Sequence, residues 1–261
     1  MTLLQANNIS LSQGAATLVN HVQLQIAAGE LVVVLGPNGS GKTSLLRCLA
    51  GVLTPQSGTI LMQGENIARY DAATRARMLS YLPQSRPVLW PNRVEDIVAL
   101  GRYPYGGGMG QMGAQDQSII SQCLARCELS EMRHRAMTSL SGGEQARVHM
   151  ARIFAAQTPL ILADEPITAL DPRHQYKIMD VLASYVAQGG AALIVLHDVA
   201  LAARYASRLV WLKQGQVVAD GPVTQTLSEP ILKKVYDMEA RVSLSSSPPE
   251  VQFIAVPPKT N

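Results

Sequence analysis

Gly36-Pro37-Asn38-Gly39-Ser40-Gly41-Lys42-Thr43 fits the pattern GxxxxGK[ST]. Glycines at these spacings let the backbone curl so that successive N–H groups point inward at phosphate oxygens. The helix expected to begin at Lys42 adds its positive end to the same anion site. Lys42 is placed to reach β- and γ-phosphates, and Thr43 to offer a hydroxyl to Mg²⁺, with Ser44 next on the helix. A second pair of groups suits the same chemistry. Leu160-Ile161-Leu162-Ala163-Asp164-Glu165 reads as a buried strand ending in two acids, at the rim where open α/β sheets bind ligands. Asp164 fits the Mg²⁺ role, and Glu165 fits a general base that polarises the attacking water. An acidic pair after a strand is also a common helix cap or turn; the upstream phosphate loop favours the catalytic reading.

These groups need elements to hold them. Leu31–Leu35, Leu160–Ala163 and Ala191–Leu196 are continuous apolar runs, as expected of parallel strands covered on both faces. Helical patterns follow each of them, at Lys42–Ala50, Arg173–Val186 and Asp198–Tyr205. This alternation predicts an α/β sheet with right-handed crossovers. Residues 1–30 read as antiparallel strands, with Ala6–Leu11 and Val22–Ile26 alternating. Residues from about 86 to 140 read as a helical insertion between strands of the core, in which a glycine loop (Gly106, Gly107, Gly108, Gly110) lies between helical segments Arg93–Leu100 and Gln115–Cys127. The tail around Ser245–Glu250 reads either as a disordered end or as a terminal hairpin flanked by Ala240–Leu244 and Val251–Val256.

Composition bounds the function. The 261 residues carry 22 Lys and Arg against 19 Asp and Glu, a net charge of +3 that gives no reason to expect nucleic acid. The longest apolar runs are strand-sized, well short of the ~20 residues of a membrane span, and the start Met1-Thr2-Leu3-Leu4-Gln5 lacks the pattern of a signal peptide. Three cysteines, Cys48, Cys123 and Cys127, are an odd number and fit a reducing compartment and a packing role. Charged residues are only 16% of the chain against a usual ~25%. Part of that deficit belongs to the doubly covered strands, and the rest points to surfaces that face other protein. Trp90, Tyr103, Tyr105 and Met109 are candidates for a docking groove, or for the core of the helical lobe.

Leu140-Ser141-Gly142-Gly143-Glu144-Gln145 adds a further anion-site pattern, a hydroxyl and two glycine N–H groups at a helix start. LSGGE resembles the signature motif of ABC (ATP-binding cassette) ATPases, and it lies ahead of Asp164-Glu165 as in that family. Gln84 in Tyr81-Leu82-Pro83-Gln84 resembles the Q-loop glutamine, Ala169-Leu170-Asp171 the D-loop, and His197 the switch histidine. The resemblance spans nearly all of residues 1–240.

The resemblance implies a P-loop NTPase of ABC type: a mixed sheet core, an N-terminal antiparallel β subdomain and an inserted helical subdomain at about 86–157 within a single domain 1–240. It also favours a hairpin at 241–261. It implies a homodimer paired head to tail, with ATP on Gly36, Pro37, Asn38, Gly39, Ser40, Gly41, Lys42, Thr43 and Ser44 of one copy closed by Ser141 and Gly143 of the other, and with Asp171 also binding nucleotide. Glu165, His197 and Gln84 would be catalytic, and Thr43, Gln84 and Asp164 would hold Mg²⁺. Within the family the chain resembles the ATPases of importers for iron-siderophore, haem and vitamin B12, through Val94-Glu95-Asp96-Ile97-Val98-Ala99-Leu100-Gly101-Arg102-Tyr103-Pro104-Tyr105, His197-Asp198-Val199-Ala200-Leu201-Ala202 and Val235-Tyr236-Asp237-Met238-Glu239-Ala240. That subgroup implies integral membrane permease subunits, a substrate-binding protein met indirectly, and a peripheral position on the cytoplasmic face of the inner membrane. An oxyanion importer, an exporter or a soluble ABC ATPase are the alternatives. Three positions depart from the family pattern: Gln13 stands where an adenine-stacking aromatic is usual, Ile167 where Thr is usual, and Ala163 where a larger aliphatic is usual.

Overall fold

The computed structural model describes residues 1–86, 91–106 and 112–254. Two strands open the chain, β1 (Thr2–Gln13) and β2 (Ala16–Ala27). They run longer than the alternating segments of the sequence, because bulges interrupt their register and break the alternation that marks a strand. Asn8 (φ 53°) and His21 (φ 51°) take left-handed conformations in that stretch. Then come β3 (Leu31–Leu35), α1 (Lys42–Leu49), β4 (Ser57–Met62), β5 (Glu65–Asn66), α2 (Ala72–Met78) and β6 (Leu79–Leu82). A helical stretch follows: α3 (Val94–Ala99), α4 (Ala114–Arg126) and α5 (Gly142–Ala155). The remainder alternates: β7 (Leu160–Asp164), α6 (Pro172–Ala187), β8 (Ala191–Val195), α7 (Val199–Tyr205), β9 (Arg208–Lys213), β10 (Gln216–Pro222), α8 (Val223–Thr226) and α9 (Glu229–Tyr236). The chain closes with β11 (Glu239–Ser243), paired antiparallel with β12 (Glu250–Ile254).

The central sheet has the order β10-β9-β3-β8-β7-β6. All its pairs are parallel except β9 with β10, so it is mixed. A separate antiparallel sheet, β2-β1-β4-β5, packs across one face. The period-2 geometry of strands divides the apolar runs between two cores. Val32, Val34, Leu160, Leu162, Leu193 and Val195 face α1 and the antiparallel sheet. Leu31, Val33, Leu35, Ile161, Ala163 and Ile194 face the helices of the other side. Every residue of β3, β7 and β8 is buried, which is why these runs are continuous rather than alternating. Fully burying one such aliphatic side chain contributes about 1.5–3 kcal/mol. Ile167 lies in the helix-side core at 5% exposure, so the departure there fills apolar space.

Local sequence signals set the helix starts near the rim of the sheet. Ser141 caps α5 in a reciprocal box with Glu144, Asp171 caps α6 ahead of Pro172, and Asp198 caps α7. The helical stretch is pinned to α5 by the turn 100–105. A Cβ on Gly101 would stand 2.4 Å from the Arg152 carbonyl oxygen, so only glycine allows this approach. Buried Arg102 pairs with Asp116 at 2.7 Å, donates to the Ala155 carbonyl at 3.0 Å and lies over the Tyr105 ring. The Tyr105 hydroxyl in turn donates to the Ala156 carbonyl at 2.8 Å. Of the aromatic and Met side chains expected to form a docking groove or the core of the helical lobe, Tyr105 is anchored by its hydroxyl yet 40% exposed, while Tyr103 is 70% exposed. Trp90 and Met109 lie outside the described residues. Among the described residues no helix is long and apolar enough to cross a membrane.

Candidate functional site

The site stands at the rim where β3, β7 and β8 end. β3 runs into the glycine loop, whose backbone only glycine can supply at two points. Gly41 has φ 99°, and a Cβ there would sit 2.0 Å from the Leu18 carbonyl oxygen; one on Gly36 would sit 2.1 Å from the Leu212 carbonyl oxygen. The loop is thus wedged between β2 and the β9–β10 turn, where the Gly215 N–H donates to the Ser40 carbonyl at 2.9 Å. Asn38, Gly39, Ser40, Gly41, Lys42, Thr43 and Ser44 line a cleft of about 230 Å³, together with Gln84, Glu165 and Leu18. Gly36 and Pro37 take part through their carbonyls: Lys42 Nζ donates to them at 2.7 and 2.9 Å. Burial lowers the Lys42 pKa, opposed by the charges of Glu165 and Asp164. The ammonium is therefore parked on loop carbonyls at the edge of that cleft.

Asp164 ends β7 fully buried, and neither of its carboxylate oxygens has a hydrogen-bond partner among the described residues. The Thr43 hydroxyl lies near it without closing a bond, and Arg47 and Lys42 add positive charge. Burial nevertheless pushes the Asp164 pKa up. An orphaned buried carboxylate is costly unless something meets it. A carboxylate, a hydroxyl and an amide oxygen at one rim form the hard oxygen set that Mg²⁺ takes, so these residues fit that ion.

Glu165 points the other way. Its Oε1 meets His197 Nε2 at 2.5 Å and its Oε2 accepts from the Thr168 hydroxyl at 3.1 Å. Burial alone would raise its pKa, but the His197 contact, with Thr168 and Gln84, outweighs that and holds the carboxyl below its ordinary value. Parallel pairing of β7 with β8 brings together residues that are far apart in sequence, since Asp164 sits beside Val195 just before His197. A second cavity of about 310 Å³ lies behind Gln84 and Glu165, bounded by Arg86, Gly142, Gln145, His149 and Thr168.

Other expected residues stand apart. Ser141 and Gly143 open α5 outside the lining of the glycine-loop cleft; Gly143 lies against the Ala169 carbonyl of its own chain. The Asp171 carboxylate accepts from the backbone N–H of His174 as a helix cap and also does not line the cleft. Gln13, at the exposed end of β1, contributes nothing to the cleft wall, whereas Leu18 of β2 does. No sequence signal marks Leu18; its place follows from how β2 crosses the loop. Arg86, which donates to the Glu165 carbonyl at 3.1 Å, carries no motif either.

Fold and site together define a P-loop nucleotide hydrolase with a mixed sheet and a helical stretch whose α5 starts at the Ser141 cap. The ABC transporter family model matches residues 19–168. The chain is 37% identical to the hemin import ATP-binding protein HmuV of Pseudomonas fluorescens over 245 residues, covering 92% of this chain and 94% of that protein. It is 38% identical to the protein of the same name from Thermobifida fusca, covering 92% and 84%. Among solved structures it resembles an inward-facing metal-chelate type ABC transporter with a TM-score of 0.81, at 23% identity over 97% of this chain and 96% of that one. It also resembles a dimeric ATP-binding cassette in a post-hydrolysis state bound to ADP and Pi, with a TM-score of 0.75, at 27% identity over 85% and 99%. The chain belongs to the ABC transporter ATP-binding family, and it binds and hydrolyses ATP.

Proposed function

We propose that this chain is the ATP-binding subunit of an importer that takes up a metal chelate of the iron-siderophore, haem or cobalamin class. The observation that carries this reading is the identity of 35–38% to hemin import ATP-binding proteins over nearly the whole chain. The subunit works as a homodimer on the cytoplasmic face of the inner membrane, docked on integral permease subunits that meet a substrate-binding protein. Residues 1–240 act as one ATPase domain, with a helical subdomain at about 86–157 inserted in the core. The position of Ser141 and Gly143 away from the glycine-loop cleft supports the dimer, in which a second copy brings these two residues to the nucleotide.

In this reading the loop N–H groups and Lys42 bind the phosphate chain, and Lys42 gives up its Gly36 and Pro37 carbonyls to do so. Thr43, Gln84 and Asp164 would hold Mg²⁺, which would supply charge neutralisation to the phosphate chain. Glu165, kept ionised by His197, orients the attacking water and accepts its proton at the carboxylate. His197 Nε2 stands at the γ-phosphate end and aims that carboxylate. Closure of two copies over ATP, and release after cleavage, shifts the permease between its states.

The test is uptake into proteoliposomes holding the full transporter, offered hemin, a ferric siderophore or cobalamin. Uptake of one of these with ATP inside is expected, and Glu165→Gln should slow turnover about 10²-fold or more while ATP-bound dimers accumulate. Undiminished hydrolysis in E165Q would remove the assigned base. Transport of none of the three solutes would remove the importer class.

A further inference from the structure

We propose that Arg86 is a positioning residue for hydrolysis: its guanidinium clamps the peptide of Glu165 to the loop that carries Gln84. The proposal rests on the reading of Glu165 as the base, and its experiment separates the two. Glu165 has φ 49°, in the left-handed region that a side chain of its size rarely adopts. Such a conformation persists only where the surroundings hold it. The carboxylate end is held by His197 and Thr168. The backbone end is held by Arg86, whose Nη2 donates to the Glu165 carbonyl at 3.1 Å while its Nε donates to the Pro83 carbonyl at 2.8 Å. Pro83 immediately precedes Gln84.

One planar fork therefore spans the two segments that flank the cleft. Its rigidity matters: guanidinium presents both donors in a fixed plane, whereas an ammonium offers a single point charge. With the fork in place, rotation of the Glu165 peptide out of its left-handed state would break a charge-assisted bond. The carboxylate therefore keeps the direction that meets His197 Nε2. Movement of the Pro83–Gln84 backbone is transmitted to Glu165 through the same two bonds. The cavity of about 310 Å³ on the far side, bounded also by His149 and Gln145, leaves the guanidinium room to travel with that loop.

The experiment uses the full chain in complex with its permease. Arg86→Ala and Arg86→Lys are made alone and in the Glu165→Gln background; kcat, KM for ATP, ATP affinity and melting temperature are measured. R86A is expected to lower kcat about tenfold to a hundredfold, the scale for displacing a catalytic group by about an ångström, with KM and ATP affinity within about twofold. R86K should fall between R86A and the parent, because it keeps the charge and loses the fork. In the E165Q background R86A should lower the residual rate no further. The proposal is overturned if R86A and R86K keep parental kcat, if kcat and ATP affinity fall together, or if R86A costs the same factor with Gln at 165. If R86A does not fold, R86K decides alone by the same criterion of kcat against KM. Parental turnover in E165Q by itself overturns the base reading, while an inactive E165Q beside fully active Arg86 variants overturns only the clamp.

Discussion

Replacing Gly41 with Ala tests the geometry of the phosphate cradle more sharply than removing any charged group. At φ 99° the new side chain takes a left-handed backbone, which costs about 1–3 kcal/mol. Its Cβ also lands 2.0 Å from the Leu18 carbonyl oxygen, a backbone atom of β2 that cannot rotate away. Relieving that overlap moves strand or loop by more than an ångström, at a further ~1–3 kcal/mol on the scale of overpacked cores. The sum, about 2–6 kcal/mol, is a large share of the ~5–15 kcal/mol that a domain holds. At ~2–4 °C per kcal/mol, the melting temperature without nucleotide should fall by about 4–24 °C. Gly39→Ala is the control. Gly39 also has positive φ, at 76°, but a Cβ there meets nothing within 4 Å. It should carry the conformational cost alone, about 1–3 kcal/mol. Scanning calorimetry of the two variants, followed by ATP titration, separates strain from collision. Equal shifts in the two, or an unshifted G41A that still binds ATP, would refute the wedging of the loop against β2.

Other outcomes follow from groups outside the cleft. His149 is 9% exposed and neither ring nitrogen has a partner among the described residues; burial, with Arg152 and Arg86 nearby, lowers its pKa to about 4. The unfolded chain then binds this proton first, so stability falls as pH drops from about 6.5 towards 4, by up to about 3 kcal/mol in all. Urea melts at pH 7 and pH 5 should show about 2 kcal/mol of that loss, and His149→Gln should flatten it; an equal slope in both proteins would count against it. All three cysteines are buried, and burial raises each thiol, Cys48 and Cys123 to about 11. A thiol reagent at neutral pH should therefore label the folded chain slowly and take up three equivalents in denaturant; fast labelling of the native protein would contradict the packing. Arg102→Ala should destabilise the helical stretch by about 3–5 kcal/mol, since it strands the Asp116 carboxylate and the Ala155 carbonyl that it satisfies. A melting temperature within a degree or two of the parent would show that this ion pair does not hold the turn 100–105.

The chemistry of the site was legible because its parts are short and continuous in sequence. A curled loop after an apolar strand, two acids at a strand end and a hydroxyl ahead of two glycines each depend on neighbours along the chain. Hydrogen bonds and dipoles act at that range, so Lys42, Thr43, Asp164 and Glu165 could be assigned chemistry before any fold was known. The buried strands were equally plain, because burial on both faces leaves an uninterrupted apolar run. The strands of 2–6 residues at β4, β5 and β6 left no such trace; each is brief, and its pairing is set by partners elsewhere in the chain.

What only the tertiary structure decided are the contacts between segments. Strand order places β8 beside β7, and that adjacency joins His197 to Glu165. The crossing of β2 over the glycine loop puts Leu18 in the wall and leaves Gln13 outside it. The path of the chain after β6 brings Arg86 onto the Glu165 carbonyl. Tyr105, legible as part of either a docking groove or the core of the helical lobe, donates its hydroxyl to the Ala156 carbonyl and so ties the turn 100–105 to the end of α5. Sequence neighbours share a few ångströms of backbone, so their joint chemistry shows in residue order. Residues dozens of positions apart meet only where packing of the two cores sets the strand order and the crossing of β2, and no local pattern records that outcome.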